Sequence, residues 1–151
     1  MKFFLNPLIA AFGSFLCITL LSFINSFSDT YIWLIPPFGA TMILVMAVHE
    51  SPLAQPKNIF FGHVFSGLSG LLVLILFGDN IYCLGLGVAV AIFIMMITKT
   101  IHPPAGGNPL IVILGSKSLF FILMPLALSS LIIIIFAILY NRSVGRKYPF
   151  K

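Results

Sequence analysis

The chain has 151 residues, of which 60% are hydrophobic and only 7% are charged, and its formal net charge is +5. A soluble domain carries about 25% charged residues, so this composition excludes a water-soluble globule. The mean hydropathy of +1.18 is typical of a chain that lives in a lipid bilayer. The basic residues stand singly until the last segment, which favours topogenic signals over nucleic-acid binding.

The first apolar segment, residues 8–28, has about the length that a membrane helix needs. It is long for the hydrophobic region of a signal peptide, and no clear small-residue cleavage site follows it. We therefore expect it to remain as the first transmembrane helix. A polar break at Asp29 and Thr30 separates it from the next segment.

That second segment, residues 31–48, contains Pro36, Pro37 and Gly39. A proline lacks a backbone donor and favours extended geometry in the residue before it, and glycine permits unusual backbone angles. The segment therefore predicts an extended entry followed by a short helix, not a continuous helix. We call residues 36–48 the first Pro-Pro element.

Residues 59–78 form the next predicted span, in which Gly62, Ser66 and Gly70 are spaced by four residues. Such a stripe of small residues lets another helix approach closely, from the same chain or from a second subunit. His63 in this span is a candidate functional group, because ionisable residues inside a membrane are costly. Its place near a helix end also allows a simple contact with interfacial water.

After a turn at Asp79 and Asn80, residues 81–98 form a further predicted span. A second Pro-Pro element, residues 103–114, then repeats the pattern of the first. The last span is residues 119–140, where a proline at position 125 predicts a kink.

The two Pro-Pro elements indicate an internal duplication in one all-α membrane domain, residues 1–151. Repeat one is residues 8–78, repeat two is residues 81–140, and residues 141–151 form a basic cytoplasmic tail. If each repeat crosses three times, the repeats are inverted, and four long transmembrane helices accompany two broken half-helix elements. The alternative is four transmembrane helices with two re-entrant elements.

The positive-inside rule favours six passages with both termini cytoplasmic. In that arrangement every basic residue except Lys117 lies on one side of the membrane. With re-entrant elements, Lys57, Lys99 and Lys117 all face outward, which gives a much weaker bias.

A half-helix that begins inside a membrane presents free backbone N–H groups and the positive end of its dipole. Two facing starts, with Thr41 and Asn108 at matched positions, predict a small-anion site. Neither element contains a carboxylate, which argues against a cation site. The candidate substrate-binding residues are those of the two elements and two basic residues before the second: Pro36, Pro37, Phe38, Gly39, Ala40, Thr41, Lys99, His102, Pro103, Pro104, Ala105, Gly106, Gly107 and Asn108.

Simpler roles are open for these residues. The elements can serve as hinges, with Thr41 and Asn108 capping their own helices. Lys99 can mark the cytoplasmic interface. Cys17 and Cys83 lie in apolar segments without motif spacing, and no metal-ligand or catalytic pattern appears. We therefore expect no disulfide, metal, cofactor or enzymatic activity.

The segment from Thr100 to Leu110, with its His102-Pro103-Pro104 triplet, resembles the signature of the HPP family of integral membrane proteins. Residues 36–41 are similar to that family's other recurrent segment, and the resemblance covers residues 8–140. It implies transport, since plant chloroplast members are associated with nitrite movement and bacterial members are regarded as similar permeases. The family is usually described with four membrane helices, fewer than the six passages expected here.

We therefore expect a transporter or channel for a small monovalent anion, with nitrite implied by the resemblance. His102 would be able to couple a proton, because histidine titrates near neutral pH. The alternative is a structural or assembly subunit of a membrane complex. We expect a multi-pass protein of the bacterial inner membrane, in contact with lipid, homo-oligomeric and without nucleic-acid partners.

Overall fold

The computed structural model describes residues 2–27 and 32–150, which contain helices and turns and no strand. The protein is an all-α membrane protein, as predicted. The polar break predicted at Asp29 and Thr30 lies outside the described residues.

The long and the short helices follow one another along the chain in the predicted order. In the described residues they are α1 (Lys2–Ser26), α2 (Pro36–Met42), α3 (Pro56–Phe77), α4 (Ile81–Ile97), α5 (Asn108–Leu114), α6 (Leu119–Phe121) and α7 (Leu128–Ser143). α2 continues as a π-helical turn, Ile43–Ala47, and a 3₁₀ turn, Pro103–Gly107, precedes α5. A second 3₁₀ turn, Pro52–Ala54, lies before α3.

Three helical stretches are long and apolar enough to cross a membrane: Phe4–Asn25, Pro56–Phe77 and Leu119–Ser143. α4 has 17 residues, which corresponds to about 25 Å of helix, slightly less than a hydrocarbon core of about 30 Å. Three of the four predicted long helices therefore have full length, and α4 is slightly short.

Each Pro-Pro pair begins a short helix after an extended residue. Ile35 has φ −123° and ψ 150°, and Pro36 starts α2. His102 is also extended, with φ −138° and ψ 98°, and Pro103 starts the 3₁₀ turn. Proline suits the first helical turn because its missing N–H needs no partner there. The predicted extended entry is confirmed in both elements.

Pro125 lies in a π-helical segment, Ile122–Ala127, between α6 and α7. The wider π turn accommodates a residue that cannot donate a backbone hydrogen bond. The distortion therefore falls where the sequence predicts it.

The C-terminal tail holds one end of the helix bundle together. Arg146 donates from Nη1 to the carbonyl of Met46 at 2.7 Å and from Nη2 to that of Asn6 at 3.4 Å. Tyr148, which is 1% exposed, donates from its hydroxyl to the carbonyl of Ala54 at 2.7 Å. The tail is thus folded against the start of α1, the end of the first Pro-Pro element and the loop before α3. We call this the tail end.

The opposite end holds the segment before the first Pro-Pro element and the turn between α5 and α6. The backbone N–H of Trp33 donates to Oδ1 of Asn25 at 2.8 Å, near the end of α1. Ile32 lines a cleft of about 280 Å³ together with residues of the turn between α5 and α6. The two segments that contain the Pro-Pro elements, residues 32–47 and 102–114, therefore each connect one end of the bundle to the other. Over the described residues, the chain passes between the two ends six times.

The small-residue stripe of α3 packs against the second Pro-Pro element. A Cβ atom added at Gly62 would lie 2.7 Å from the Cβ of His102, and one at Gly70 would lie 2.6 Å from the Cα of Pro109. The hydroxyl of Ser66 donates to a backbone carbonyl of the same element. The predicted packing role is confirmed, and the partner is a segment of the same chain.

Gly70→Ala is expected to lower the free energy of unfolding by about 1–3 kcal/mol, because the added methyl group meets the backbone of Pro109. Gly85→Ala on α4 is the matched control, since no side chain and no other segment of the described chain lies within 4 Å of a Cβ at Gly85. Thermal unfolding in detergent compares the two variants. Equal melting temperatures would contradict the close approach of α3 and the second element.

Candidate functional site

Four polar side chains from separate segments meet in the interior of the bundle. Oγ1 of Thr41 lies 3.1 Å from Nε2 of His63 and 2.9 Å from Nε2 of His102. Nδ2 of Asn108 lies 3.0 Å from Nδ1 of His63. All four residues are 0% exposed. We call these four residues the polar cluster.

Local geometry places each member of the cluster. Thr41 is on the buried face of α2, one turn after Pro37. His63 is in the third turn of α3, roughly 10 Å from the helix start at a rise of 1.5 Å per residue. His102 is the extended residue before the second Pro-Pro pair, and Asn108 is the first residue of α5. The cluster therefore lies within the apolar part of the bundle, nearer the tail end.

Backbone carbonyls provide further partners for the cluster. Nδ1 of His102 lies 2.8 Å from the carbonyl oxygen of Leu53. The Asn108 amide nitrogen also lies 3.1 Å from the carbonyl oxygen of His63, and the Thr41 hydroxyl lies 3.1 Å from that of Pro37. These acceptors determine which atoms of the cluster must donate.

One polar atom of the cluster has no hydrogen-bond partner in the described residues, the buried side-chain oxygen of Asn108. A buried amide oxygen without a donor costs about 1–3 kcal/mol, and such atoms are normally paired with protein or water. The oxygen is therefore a place where a water molecule or a solute carrying a donor would be stabilised.

Aromatic contacts fix the two imidazole rings. The rings of Phe38 and His63 meet edge to face with centroids 5.1 Å apart. The rings of His63 and His102 do the same at 5.0 Å. The histidines are thus packed against each other as well as hydrogen-bonded through Thr41.

The structure brings the two Pro-Pro elements into contact. A Cβ at Gly107 would lie 3.3 Å from Cγ of Pro37, and Thr41 of the first element bonds His102 just before the second. Asn108 donates its amide to His63 on α3 and does not cap its own helix. Asn108 therefore does not have the helix-capping role that the sequence left open for it.

The other predicted site residues differ in exposure. Buried with the cluster are Pro37, Phe38 and Ala105. Partly buried are Pro104, Gly106 and Gly107. Exposed on the outer surface of the elements are Pro36, Gly39, Ala40 and Pro103.

Lys99 is not a member of the polar cluster. It is exposed, and its backbone has a positive φ of 54°. Its N–H bonds the carbonyl of Met96, so the residue ends α4 in a left-handed turn. This position agrees with the interfacial role considered for it.

The starts of the two elements offer fewer free backbone N–H groups than predicted. The prolines have none, and the next amide of each element is already bonded. Phe38 N–H donates to Ile35 and Ala105 N–H donates to His102, both at 3.0 Å. The second element also begins as a 3₁₀ turn instead of an α-helix. The hydrogen-bond donors where the two elements meet therefore include the side chains of the polar cluster, and not the backbone amides of Phe38 and Ala105.

The predicted substrate-binding residues do not include His63, which is central to the observed cluster. Its signal in the sequence was that of a single ionisable residue in an apolar span. Ser66 and the Leu53 carbonyl carry no such signal, because their partners come from distant segments.

Comparison with known proteins agrees with the motifs. A family profile described as "HPP, transmembrane region" matches residues 4–149. Two transmembrane proteins of Dictyostelium discoideum are each 30% identical over 151 residues, which covers 93% of this chain and 48% and 53% of theirs. The chain thus spans about half the length of these curated relatives. No solved structure matches. The chain belongs to the HPP family of integral membrane proteins.

Proposed function

We propose that the protein is a membrane transporter or channel for a small monovalent anion, with nitrite as the leading solute. The solute would be held where the two Pro-Pro elements meet. The observation that carries this proposal is the polar cluster, a hydroxyl, two imidazoles and an amide that are fully buried. Polar groups buried in a membrane protein are costly, and ionisable ones commonly mark solute routes.

The charge of the region favours an anion over a cation. The chain has three carboxylate side chains, Asp29, Glu50 and Asp79. Glu50 and Asp79 are exposed, and Asp29 lies outside the described residues. A cation would therefore meet no carboxylate within the cluster. An anion that replaces one of the contacts within the cluster can accept a hydrogen bond from an imidazole or hydroxyl group. A water molecule carried with it would supply a donor to the Asn108 oxygen.

Nitrite is small and planar and carries a single negative charge, so hydrogen-bond donors can hold it without a full countercharge. The choice of nitrite among small anions rests on the resemblance to the HPP family. A structural or assembly role is the alternative, and the flux measurement below separates the two.

We further propose that the six runs between the two ends are six membrane passages. The two repeats of residues 8–78 and 81–140 would then be inverted, with both termini in the cytoplasm of a bacterial cell. The contacts of Asn6, Met46 and Arg146 at one end support this arrangement. The apolar outer surface contacts lipid, and its exposed small residues on α2 suit contact between identical subunits.

The test is nitrite entry into liposomes that contain the purified protein. We expect saturable entry, reduced at least about tenfold by Asn108→Ala, which removes the amide that holds His63. Asn58→Ala is the matched control. It removes the hydrogen bond that the Asn58 side-chain amide donates to the Ile101 carbonyl near the surface, and the variant is expected to transport normally. No entry above that of empty liposomes, with folded protein, would overturn the proposal and favour the structural role.

A further inference from the structure

The polar cluster is one continuous hydrogen-bonded chain with a fixed direction. The carbonyl of Leu53 stands at one end and the carbonyl of His63 at the other. Carbonyl oxygens only accept hydrogen bonds, so these two ends determine which ring nitrogens carry protons in the neutral state.

His102 carries its proton on Nδ1, because that atom lies 2.8 Å from the Leu53 carbonyl oxygen. In the neutral ring, Nε2 then holds a lone pair. This lone pair faces Oγ1 of Thr41 at 2.9 Å, so the hydroxyl is the donor in that contact.

His63 has the opposite tautomer. The Asn108 amide nitrogen donates one hydrogen to the His63 carbonyl at 3.1 Å, and its second hydrogen meets Nδ1 of the same residue at 3.0 Å. Nδ1 therefore accepts, and Nε2 carries the proton. That N–H donates to Oγ1 of Thr41 at 3.1 Å.

Thr41 has one hydroxyl proton and two acceptors for it. One acceptor is Nε2 of His102 at 2.9 Å, and the other is the carbonyl oxygen of Pro37 at 3.1 Å. Rotation of the hydroxyl moves its proton from one acceptor to the other. If Nε2 of His102 gains a proton, it donates to Oγ1, and the hydroxyl turns to Pro37. The cluster keeps all its hydrogen bonds through this change.

We propose that Nε2 of His102 is the proton-binding site of a proton-coupled anion transporter, and that the Thr41 hydroxyl is the switch that accommodates the proton. This inference rests on the proposed transport function. Proton binding forms one N–H bond from a solution proton and the ring lone pair, and no covalent bond of the protein breaks. Release reverses the step. In the protonated state the Thr41 hydroxyl donates to the Pro37 carbonyl, and both residues belong to the first Pro-Pro element. Proton binding at His102 therefore changes a hydrogen bond within that element.

The surroundings of His102 supply no negative charge to balance the proton. The groups that face it are Thr41 on α2, the Leu53 carbonyl and the titratable ring of His63 on α3. α4 and α5 contain no charged residue. The charged residues of the adjoining segments are exposed: Glu50, Lys57 and Lys99. A bound anion therefore provides the countercharge, so that proton and anion each favour binding of the other.

Two measurements test the proposal. Nitrite entry into liposomes is measured with and without an acidic exterior, with a trapped pH dye that reports proton entry, and empty liposomes correct for nitrous acid that crosses lipid unaided. We expect the acidic exterior to stimulate the wild type and Thr41→Ser at least about tenfold, because both carry the hydroxyl. Thr41→Val has the shape of threonine without the hydroxyl, and it is expected to lose the stimulation and the proton signal.

The second measurement is ¹⁵N spectroscopy of histidine-labelled protein, which reads tautomers without any transport. The chain has three histidines, so His63→Gln and His102→Gln assign the spectra. We expect Nε2–H at His63, Nδ1–H at His102, and a second proton on His102 over the pH range that stimulates uptake. The opposite tautomer at His102, or nitrite entry by the wild type without proton entry, would overturn the proton site while the transport function stands. A wild type that moves no nitrite would overturn the transport function and, with it, this proposal.

Discussion

His63→Leu is expected to abolish nitrite transport and to lower the free energy of unfolding by about 2–5 kcal/mol. The imidazole is a hydrogen-bond partner of both Thr41 and Asn108. Leucine fills much of the same volume, but it leaves the polar groups that faced both ring nitrogens without that partner. The amide hydrogen of Asn108 that faced the ring is left unpaired, which costs about 1–3 kcal/mol. Thr41 keeps its other contacts, so the loss of its hydrogen bond from the ring adds about 0.5–1.5 kcal/mol. This loss exceeds that of most single substitutions because both sides of the ring are affected.

His49→Leu is the matched control, since His49 is a partly buried loop residue outside the polar cluster. We expect it to retain transport and to change stability by no more than about 0.5 kcal/mol. Chemical unfolding in detergent and nitrite entry into liposomes measure the two variants side by side. A His63→Leu protein that transports like the wild type would show that the cluster is not part of the solute route.

Local sequence rules predict the Pro-Pro elements because their cause is local. Proline and the residue before it restrict the backbone wherever they occur, so Ile35 and His102 are extended as expected. The duplication also singled out Thr41 and Asn108 as equivalent positions, and the structure places both in one hydrogen-bonded cluster. What it did not predict is that they meet through a histidine of α3.

The role of His63 depends on packing that no local pattern contains. The glycines and serine of α3 let the second element approach, and this approach sets His102 5.0 Å from the His63 ring. From the sequence, a stripe of small residues and a neighbouring histidine appear as two separate features. In the structure the close packing is what builds the site.

The sequence does not show where the residues of these charged segments lie in the fold. Lys99 precedes the second Pro-Pro pair and is a predicted site residue, and in the structure its left-handed backbone ends α4 and its side chain is exposed. The tail is predicted as a topogenic signal, and in the structure Arg146 and Tyr148 also bind carbonyls of Met46 and Ala54. Burial raises the pKa of the Tyr148 hydroxyl, which keeps that donor protonated at physiological pH. Net charge and hydropathy do not reveal such tertiary contacts.

Single cysteines at positions 57 and 79 are expected to react from opposite sides of the cell membrane. Lys57 and Asp79 are both exposed, at the two ends of α3, and the native Cys17 and Cys83 are buried and can be replaced by alanine. With six passages and cytoplasmic termini, Asp79→Cys reacts with a membrane-impermeant maleimide in intact cells, and Lys57→Cys reacts only after the membrane is opened. In intact cells we expect nearly complete labelling of Asp79→Cys and none of Lys57→Cys.

Lys147→Cys in the exposed tail is the reference for the cytoplasmic side. Re-entrant elements would reverse the two test positions while leaving position 147 inside, because each element would then return to the side from which it entered. The experiment thus decides whether Pro36 and Pro103 begin elements that enter the membrane from opposite faces. Only in that case do Thr41 and His102, which are in contact, belong to segments that enter from opposite sides of the membrane. Alternating access requires such an arrangement, because a single buried site must be reached from each side in turn.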